Sequence, residues 1–294
     1  MDRRRVRRVG RVRTAVQLAF AALTNGYAAG FLKGTIYKGE SKYLCLPGLN
    51  CYSCPGALGS CPLGAFQAVI TGRDRSFSFY VAGFLLLFGA VLGRFVCGWL
   101  CPFGLVQDLL HKIPFPRKWR VLPGERGLRA LKYVLLVLFV ILLPLTVLDV
   151  VGQGQPWFCK YICPSGTLLG GIPLVASNPA LRSALSWLFA WKGALLAAVV
   201  LLSVVLWRPF CRYLCPLGAV YGLFNPVALC RYAIQEDKCT RCGSCQAACP
   251  MDLPVYRQPN TTQCIRCGKC RAACPQDAIA LLSPLSYRRA GKSD

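Results

Sequence analysis

The chain has 294 residues, of which 55% are hydrophobic and only 16% are charged, and its formal net charge is +24. This composition is too apolar for an ordinary soluble domain of this length, and it indicates a membrane protein. The basic residues form blocks beside apolar stretches rather than aromatic-interleaved patches, which argues against nucleic acid as a partner.

Four apolar stretches approach the ~20 residues that cross a ~30 Å hydrocarbon core as a helix. The sequence therefore predicts an all-α membrane domain over 14–225 with four transmembrane helices. For the first stretch a cleaved signal peptide is the alternative, because arginines precede the apolar run. Lys192, in the fourth stretch, is expected to extend its amine to a membrane interface. The stretches are Thr14–Leu32, Ser76–Gly93, Tyr133–Val151 and Ala184–Trp207.

The positive charges predict the orientation. Lys and Arg number seven in the basic tail 1–13, six in 97–130 and twelve in 208–294, against five in 33–75 and three in 152–192. Positive residues favour the cytoplasmic side of a membrane. We therefore expect a multi-pass protein of the inner (cytoplasmic) membrane with both termini in the cytoplasm and the two less basic loops outside.

Four Cys-Pro motifs mark an internal two-fold repeat within the membrane domain. The inner two share the pattern R-x-x-C-x-x-L-C-P-x-G, which starts at Arg94 and at Arg208. Proline favours the first helical position, so the preceding cysteine is expected at a helix N-cap, where backbone N–H groups lower a thiol pKa. We expect one iron–sulfur cluster here, with redox-active thiols or packing cysteines as alternatives. The inner ligands are Cys97, Cys101, Cys211 and Cys215.

The outer motifs are less regular. Cys159 and Cys163 form a complete pair, but the first copy of the repeat retains only Cys61. Either Cys51 or Cys54 is expected to supply the missing ligand of an outer iron–sulfur cluster. Disulfides are the alternative, because this side of the membrane is the more oxidising one.

The C-terminal part of the chain, 226–282, contains the pattern C-x2-C-x2-C-x3-C-P twice. In bacterial ferredoxins with this run, the fourth cysteine ligates the other cluster. Structural zinc and disulfides are the alternatives, but neither requires a C-x2-C-x2-C triple. The sequence predicts a small cytoplasmic α+β domain with two [4Fe–4S] clusters, followed by a tail at 283–294. The ligand sets are Cys239, Cys242, Cys245 and Cys274 for one cluster, and Cys264, Cys267, Cys270 and Cys249 for the other.

Three further features limit the chemistry. His111 is the single histidine, so a bis-histidine haem cannot be built within the chain. Asp149 is the one acid inside an apolar stretch, which makes it a candidate for protonating a quinone, with an interfacial solvated carboxylate as the alternative. Cys45 and Cys230 receive no role.

The paired inner motifs, the apolar stretches before them and the two ferredoxin runs resemble the membrane-bound polyferredoxins of the NapH type. Similar modules occur in the nitrous-oxide reductase maturation regulator and in the oxidase copper-assembly ferredoxin. The resemblance covers nearly all of 14–282. It implies four helices, a cytoplasmic two-cluster ferredoxin and electron exchange with quinol or a redox partner. The cysteine-rich outer loop departs from the simplest pattern of that family.

These features together predict an electron-transfer subunit of a membrane oxidoreductase complex. We expect electrons to pass between the ferredoxin clusters, the inner site and either quinone or a partner protein, in a chain that contacts membrane lipid. A copper-reducing or copper-assembly factor and a redox-sensing regulator are the alternatives with the same clusters. The ~30 Å core is wide for one tunnelling step, and the sequence shows no midway ligand.

Overall fold

The computed structural model describes residues 3–72, 79–150, 152–183 and 185–283. Several predicted segments therefore extend beyond the described residues. The parts that lie outside are residues 1–2 of the basic tail, 76–78, 151 and 184 at the ends of apolar stretches, and 284–294 of the C-terminal tail.

Most of the described chain is helical. The helices are α1 (Arg3–Thr24), α2 (Ala28–Lys33), α3 (Pro62–Ile70), α4 (Phe79–Leu92), α5 (Phe95–Trp99), α6 (Pro102–Leu110), α7 (Glu125–Leu135), α8 (Leu143–Thr146), α9 (Pro164–Gly166), α10 (Ile172–Ser177), α11 (Pro179–Ser183), α12 (Trp187–Val205), α13 (Pro216–Phe224), α14 (Ser244–Ala247) and α15 (Lys269–Ala273). Shorter segments are a 3-10 turn at Glu40–Tyr43 and π-helical segments at Leu136–Leu142, Phe158–Ile162, Thr167–Gly171 and Phe210–Leu214.

The prediction of four transmembrane helices is wrong. Within the described ranges, two helices are long and apolar enough to cross a membrane, Glu125–Thr146 and Trp187–Val205. At 1.5 Å per residue these helices are about 33 Å and 29 Å long, close to the thickness of the hydrocarbon core.

The first apolar stretch does not form a candidate transmembrane helix, because the helix that contains it is not apolar on every face. Helix α1 begins within the arginine block and buries Arg13 and Gln17 against the rest of the protein. It ends where the Thr24 hydroxyl and the Asn25 amide donate to carbonyl groups of the preceding turn, at 2.8 Å and 3.0 Å. Side-chain donors of this kind compete with the backbone and favour helix ends.

The described part of the second apolar stretch, 79–93, is too short to cross a membrane. Helix α4 has 14 residues, which gives about 21 Å at 1.5 Å per residue, less than the ~30 Å of a hydrocarbon core. It stops at Gly93, whose φ of +52° is readily adopted only by glycine. A side chain there would also meet Asn225 and Arg266.

Each Cys-Pro motif begins a helix, and the prediction that the cysteines are N-caps is confirmed. Each cysteine has extended backbone angles, and the proline that follows is the first helical residue. The fixed φ of proline therefore sets the direction of four helices, each directly after a cysteine. The four N-caps are Cys61, Cys101, Cys163 and Cys215.

The C-terminal module is closed by a two-stranded sheet. Strand β1 (Arg231–Ile234) pairs antiparallel with β2 (Ile279–Leu282), so the two ends of the module lie side by side and the two cysteine runs lie between them. Helix α1 packs along α15 of this module, and Arg5 forms an exposed ion pair with Asp277 at 3.1 Å.

Candidate iron–sulfur centres

Two cavities in the C-terminal module are each lined by one complete predicted ligand set. Their empty volumes are ≈ 390 Å³ and ≈ 310 Å³. The fourth cysteine of each run crosses to the cavity of the other run, so each cavity combines both halves of the module. The first cavity is lined by Cys239, Cys242, Cys245 and Cys274, and the second by Cys249, Cys264, Cys267 and Cys270.

Left-handed backbone shapes the rim of each cavity. Arg241 and Arg266, each just before the second cysteine of its run, have φ of 53° and 52°. Gly243 and Gly268, each just after it, have φ of 74° and 81°. Non-glycine residues adopt this conformation at a cost, and such turns direct successive N–H groups into one concavity. These cradles fit an anionic cluster held by thiolates.

The four inner cysteines are buried together, with between 5% and 7% of each exposed. All six pairs among them are close enough for one thiol charge to raise the pKa of another. Burial is the larger cause, and it raises the pKa of Cys211 to about 12. The prediction that the N-cap position lowers the thiol pKa is wrong for the bare thiols of Cys101 and Cys215, because burial raises it by more than the backbone N–H groups lower it. The set is Cys97, Cys101, Cys211 and Cys215.

A reciprocal pair of arginines joins the two inner motifs. Arg94 of the first motif donates from Nη2 to the carbonyl oxygen of Cys211 at 2.8 Å. Arg208 of the second motif donates from Nη1 to the carbonyl oxygen of Cys97 at 2.6 Å. Both arginines are fully buried. Each motif therefore fixes the first cysteine of the other.

The glycine that ends each inner motif makes room for that arginine. A side-chain carbon at Gly218 would lie 3.2 Å from Nη2 of Arg94, and one at Gly104 would lie 3.1 Å from Nη1 of Arg208. The repeated pattern contains this arginine and this glycine in both copies. That recurrence is the signal in the sequence that points to their structural role.

One buried acid offsets part of the positive charge of this region. Asp108 accepts from Nε of Arg208 and from Nη2 of Arg13, at 2.9 Å each. Burial opposes ionisation of this carboxyl, but the two guanidinium groups hold its pKa below the usual range. Next to it, Gln107 donates to Sγ of Cys211 at 3.0 Å.

The second cavity of the C-terminal module lies directly against the inner motifs. Asn225 donates to the carbonyl oxygen of Cys264 at 2.6 Å, and Trp99 donates to that of Arg266 at 3.0 Å. At Gly98, a side-chain carbon would lie 2.3 Å from the carbonyl oxygen of Ile265. These contacts place a ferredoxin ligand loop beside Cys97.

Four of the five outer candidate cysteines form one set, and Cys54 is the one left out. Cys61, Cys163, Cys159 and Cys51 interact electrostatically in all six pairs. Cys54 lies apart from this set except for its neighbour Cys51, and its thiol donates to Asn25 at 3.6 Å.

Lys192, in the fourth apolar stretch, is partly buried, and its ammonium donates to the carbonyl oxygen of Cys159 at 3.2 Å. Asp149 lies in an exposed turn after Thr146, where its carboxylate accepts from the backbone N–H of Gln153 at 2.9 Å. No cysteine set includes it.

The structure records all nineteen cysteines as free thiols. In the ranges it describes, no group of three or more His, Cys, Asp or Glu side chains is arranged around a single metal ion. A [4Fe–4S] cluster carries one thiolate on each of four irons, so its ligands lie further apart than those of one ion.

Comparison with known proteins identifies the same segments. Residues 76–121, 131–174 and 185–229 each match a 4Fe-4S binding domain, and residues 238–279 match a 4Fe-4S dicluster domain. No solved structure matches the chain significantly.

Three curated relatives are similar over much of the chain. The ferredoxin-type protein NapH of Haemophilus influenzae is 32% identical, over 60% of this chain and 55% of its own length. The methylamine utilization ferredoxin-type protein MauN of Methylorubrum extorquens is 29% identical, over 64% and 59%. The putative electron transport protein YccM of Escherichia coli is 30% identical, over 64% and 51%. The chain spans little more than half the length of these relatives.

The two apolar helices and the NapH-type relatives indicate membrane association. The cysteine runs, both 4Fe-4S domain matches and the named relatives agree with one another. The chain therefore belongs to the NapH-type ferredoxin-type polyferredoxins, a family of 4Fe–4S electron-transport proteins.

Proposed function

We propose that this chain carries electrons between the two ferredoxin clusters and a third cluster at the inner motifs, and exchanges them there with quinone or a redox partner protein. The observation that carries this proposal is the direct packing of the second ferredoxin cavity on the inner cysteines, through Gly98 and Ile265. Clusters held in adjacent ligand loops are close enough to exchange electrons.

The cysteines and the buried arginines would have different roles. The three cysteine quartets hold the irons, and each bound cluster supplies one-electron exchange. Arg94 and Arg208 fix the two inner motifs against each other and place buried positive charge beside the thiolates. Lys132, also fully buried, donates to Gln263 of the ferredoxin module at 2.8 Å. The two arginine charges offset the negative charge of a thiolate-ligated cluster.

The two apolar helices, Glu125–Thr146 and Trp187–Val205, would anchor this unit in lipid. We place the ferredoxin module and both termini in the cytoplasm, because the inner motifs and the module are flanked by the most basic segments. Partner subunits of a larger oxidoreductase would then reach the clusters from the cytoplasmic side.

A reduction assay tests this function. The protein is loaded with clusters under anaerobic conditions, reduced with a low-potential donor and mixed in lipid vesicles with a quinone analogue. We expect stoichiometric oxidation of the reduced clusters by the quinone, which becomes quinol, or by an added electron carrier of higher potential. Release of Cu(I) from added Cu(II), with no electron exchange with quinone or carrier, would instead indicate the metal-assembly function.

Replacing Gly98 by alanine tests the contact between the ferredoxin module and the inner motifs. Because the new methyl group would lie 2.3 Å from a backbone oxygen, the docking must shift, at a cost of about 1–3 kcal/mol for overpacking. We expect slower electron exchange between module and inner site, with all clusters retained.

Gly83→Ala is the matched control, since this helical glycine has nothing within 4 Å of the added carbon. Alanine there should stabilise helix α4 by up to about 1 kcal/mol. Equal electron-exchange rates in the Gly98→Ala and Gly83→Ala variants would contradict the proposed route.

A further inference from the structure

A second membrane-domain cysteine quartet lies partly outside the segments that match 4Fe-4S domains. Cys51 and Cys61 come before residue 76, where the first match begins, whereas Cys159 and Cys163 fall inside the second match. Cys61 and Cys163 are buried, and the other two are partly buried. No matched segment accounts for the complete set.

The two copies of the repeat interlock at this quartet. A side-chain carbon at Gly64, which follows Cys61 in the first copy, would lie 4.0 Å from Sγ of Cys159 in the second copy. One at Gly166, in the second copy, would lie 3.5 Å from Sγ of Cys51 in the first. Each copy of the repeat therefore approaches a cysteine of the other copy, as the two inner arginines also do. Ala57 stands at the position of the first copy that corresponds to Cys159, so Cys51 supplies the fourth thiol of the quartet.

Buried polar groups without partners flank the quartet. The hydroxyls of Ser165 and Thr167, which follow Cys163 in the chain, and both amide atoms of Asn50, which precedes Cys51, have no hydrogen-bond partner. All three residues are at most 3% exposed. A buried polar group normally has a partner, and unpaired ones call for an explanation such as an absent ion or group. The sulfur atoms of a cluster accept hydrogen bonds.

Two lysines supply positive charge to the same quartet. Burial raises the pKa of the Cys51 thiol, and the charges of Lys192 and Lys42 oppose that rise. The ammonium of Lys192 also lies 3.9 Å from the carbon position at Gly166. Lys42 is 5% exposed and donates to the carbonyl oxygen of Ala57 at 2.8 Å. Buried cations are expected where an anionic group is bound.

A short segment connects this quartet to the inner site. A side-chain carbon at Gly48 would lie 3.1 Å from Cα of Cys101, and Cys51 follows three residues later. Three residues span at most about 11 Å. Tyr221, fully buried, donates to the carbonyl oxygen of Pro47 at 3.1 Å and so holds this segment in place. The two quartets are therefore separated by far less than a hydrocarbon core.

We propose that Cys51, Cys61, Cys159 and Cys163 bind a further [4Fe–4S] cluster, which exchanges electrons with the inner site in one step. The step transfers one electron from one cluster to the other, and no bond or proton moves. The cluster assignment stands on the quartet itself, and its place in an electron path rests on the proposed function. Electron transfer through this chain then needs no additional cofactor ligand between the inner and the outer quartet.

Comparison of Cys51→Ser with Cys54→Ser tests the assignment in the full-length protein. Both cysteines lie in the same loop, but only Cys51 belongs to the quartet. We expect Cys51→Ser to lose about four irons and one EPR signal, and Cys54→Ser to keep the parent values. Equal iron content in the two variants, or a disulfide at Cys51 in the anaerobically prepared parent, would overturn the outer site.

A second variant pair keeps the proposal testable if Cys51→Ser fails to fold. Lys192→Gln should lower the midpoint potential of the outer cluster, because it removes a cation beside it, whereas Lys192→Arg should leave the potential near the parent value. An unchanged set of potentials in Lys192→Gln would count against a cluster at this place. Both variants should keep the EPR signals of the ferredoxin and inner clusters. Absence of those signals would instead refute the proposed function.

Discussion

Replacing both Cys97 and Cys211 by serine is expected to remove about four irons per chain and to stop electron exchange between the ferredoxin module and quinone. Each of these residues is the first cysteine of one inner motif, and each has its carbonyl held by the arginine of the other motif. Without them only two thiols remain at the inner site. The ferredoxin cavities share no ligand with it, so both ferredoxin EPR signals should persist.

Cys230→Ser is the control for this experiment, because Cys230 belongs to none of the four cysteine sets and should change neither iron content nor rate. Iron, acid-labile sulfide and quinone reduction are measured on the same anaerobic preparations. If the double serine variant keeps the parent iron content, the inner cysteines are thiols or packing residues. Continued electron exchange in a variant that has lost the iron would exclude the inner site from the path.

Replacing Asp108 by asparagine is expected to destabilise the protein by about 3–5 kcal/mol. The carboxylate is 5% exposed and pairs with Arg13 and Arg208, which are themselves buried. Its removal leaves two buried guanidinium groups without a counter-charge, and Arg208 also fixes Cys97. Denaturant unfolding in detergent, followed by intrinsic tryptophan fluorescence, measures the loss.

Asp277→Asn is the matched control, because its ion pair with Arg5 is exposed, at 63% and 54% of the two side chains. Exposed pairs contribute about 0–1 kcal/mol, so this variant should stay close to the parent. Similar losses from the two substitutions would show that Asp108 is not the counter-charge of the buried arginines. If an added Arg13→Gln change restores the stability of Asp108→Asn, Asp108 is the counter-charge of the buried arginines.

Spacing along the chain was sufficient to predict the groups of neighbouring cysteines that depend on local geometry. The crossing of Cys249 and Cys274 between the ferredoxin cavities follows from the repeated run, and the N-cap cysteines follow from the fixed φ of proline. Both patterns determine the backbone within a few residues.

Contacts between distant segments were not predictable in the same way. Hydropathy alone does not show that Arg13 and Gln17 of helix α1 face the protein interior. The selection of Cys51 over Cys54 depends on how the first loop reaches the second copy of the repeat. In the same way, nothing near Lys192 in sequence indicates Cys159 as its neighbour.

In the proposed function, the ferredoxin clusters and the inner cluster form one closely spaced set. EPR spin integration of the fully reduced, anaerobically loaded protein, with iron determined on the same sample, tests this arrangement. We predict at least three cluster spins per chain, about twelve or more irons, and ferredoxin signals broadened by the inner cluster, with that broadening lost in the double serine variant. Two spins with about eight irons, and spectra identical in parent and variant, would contradict it.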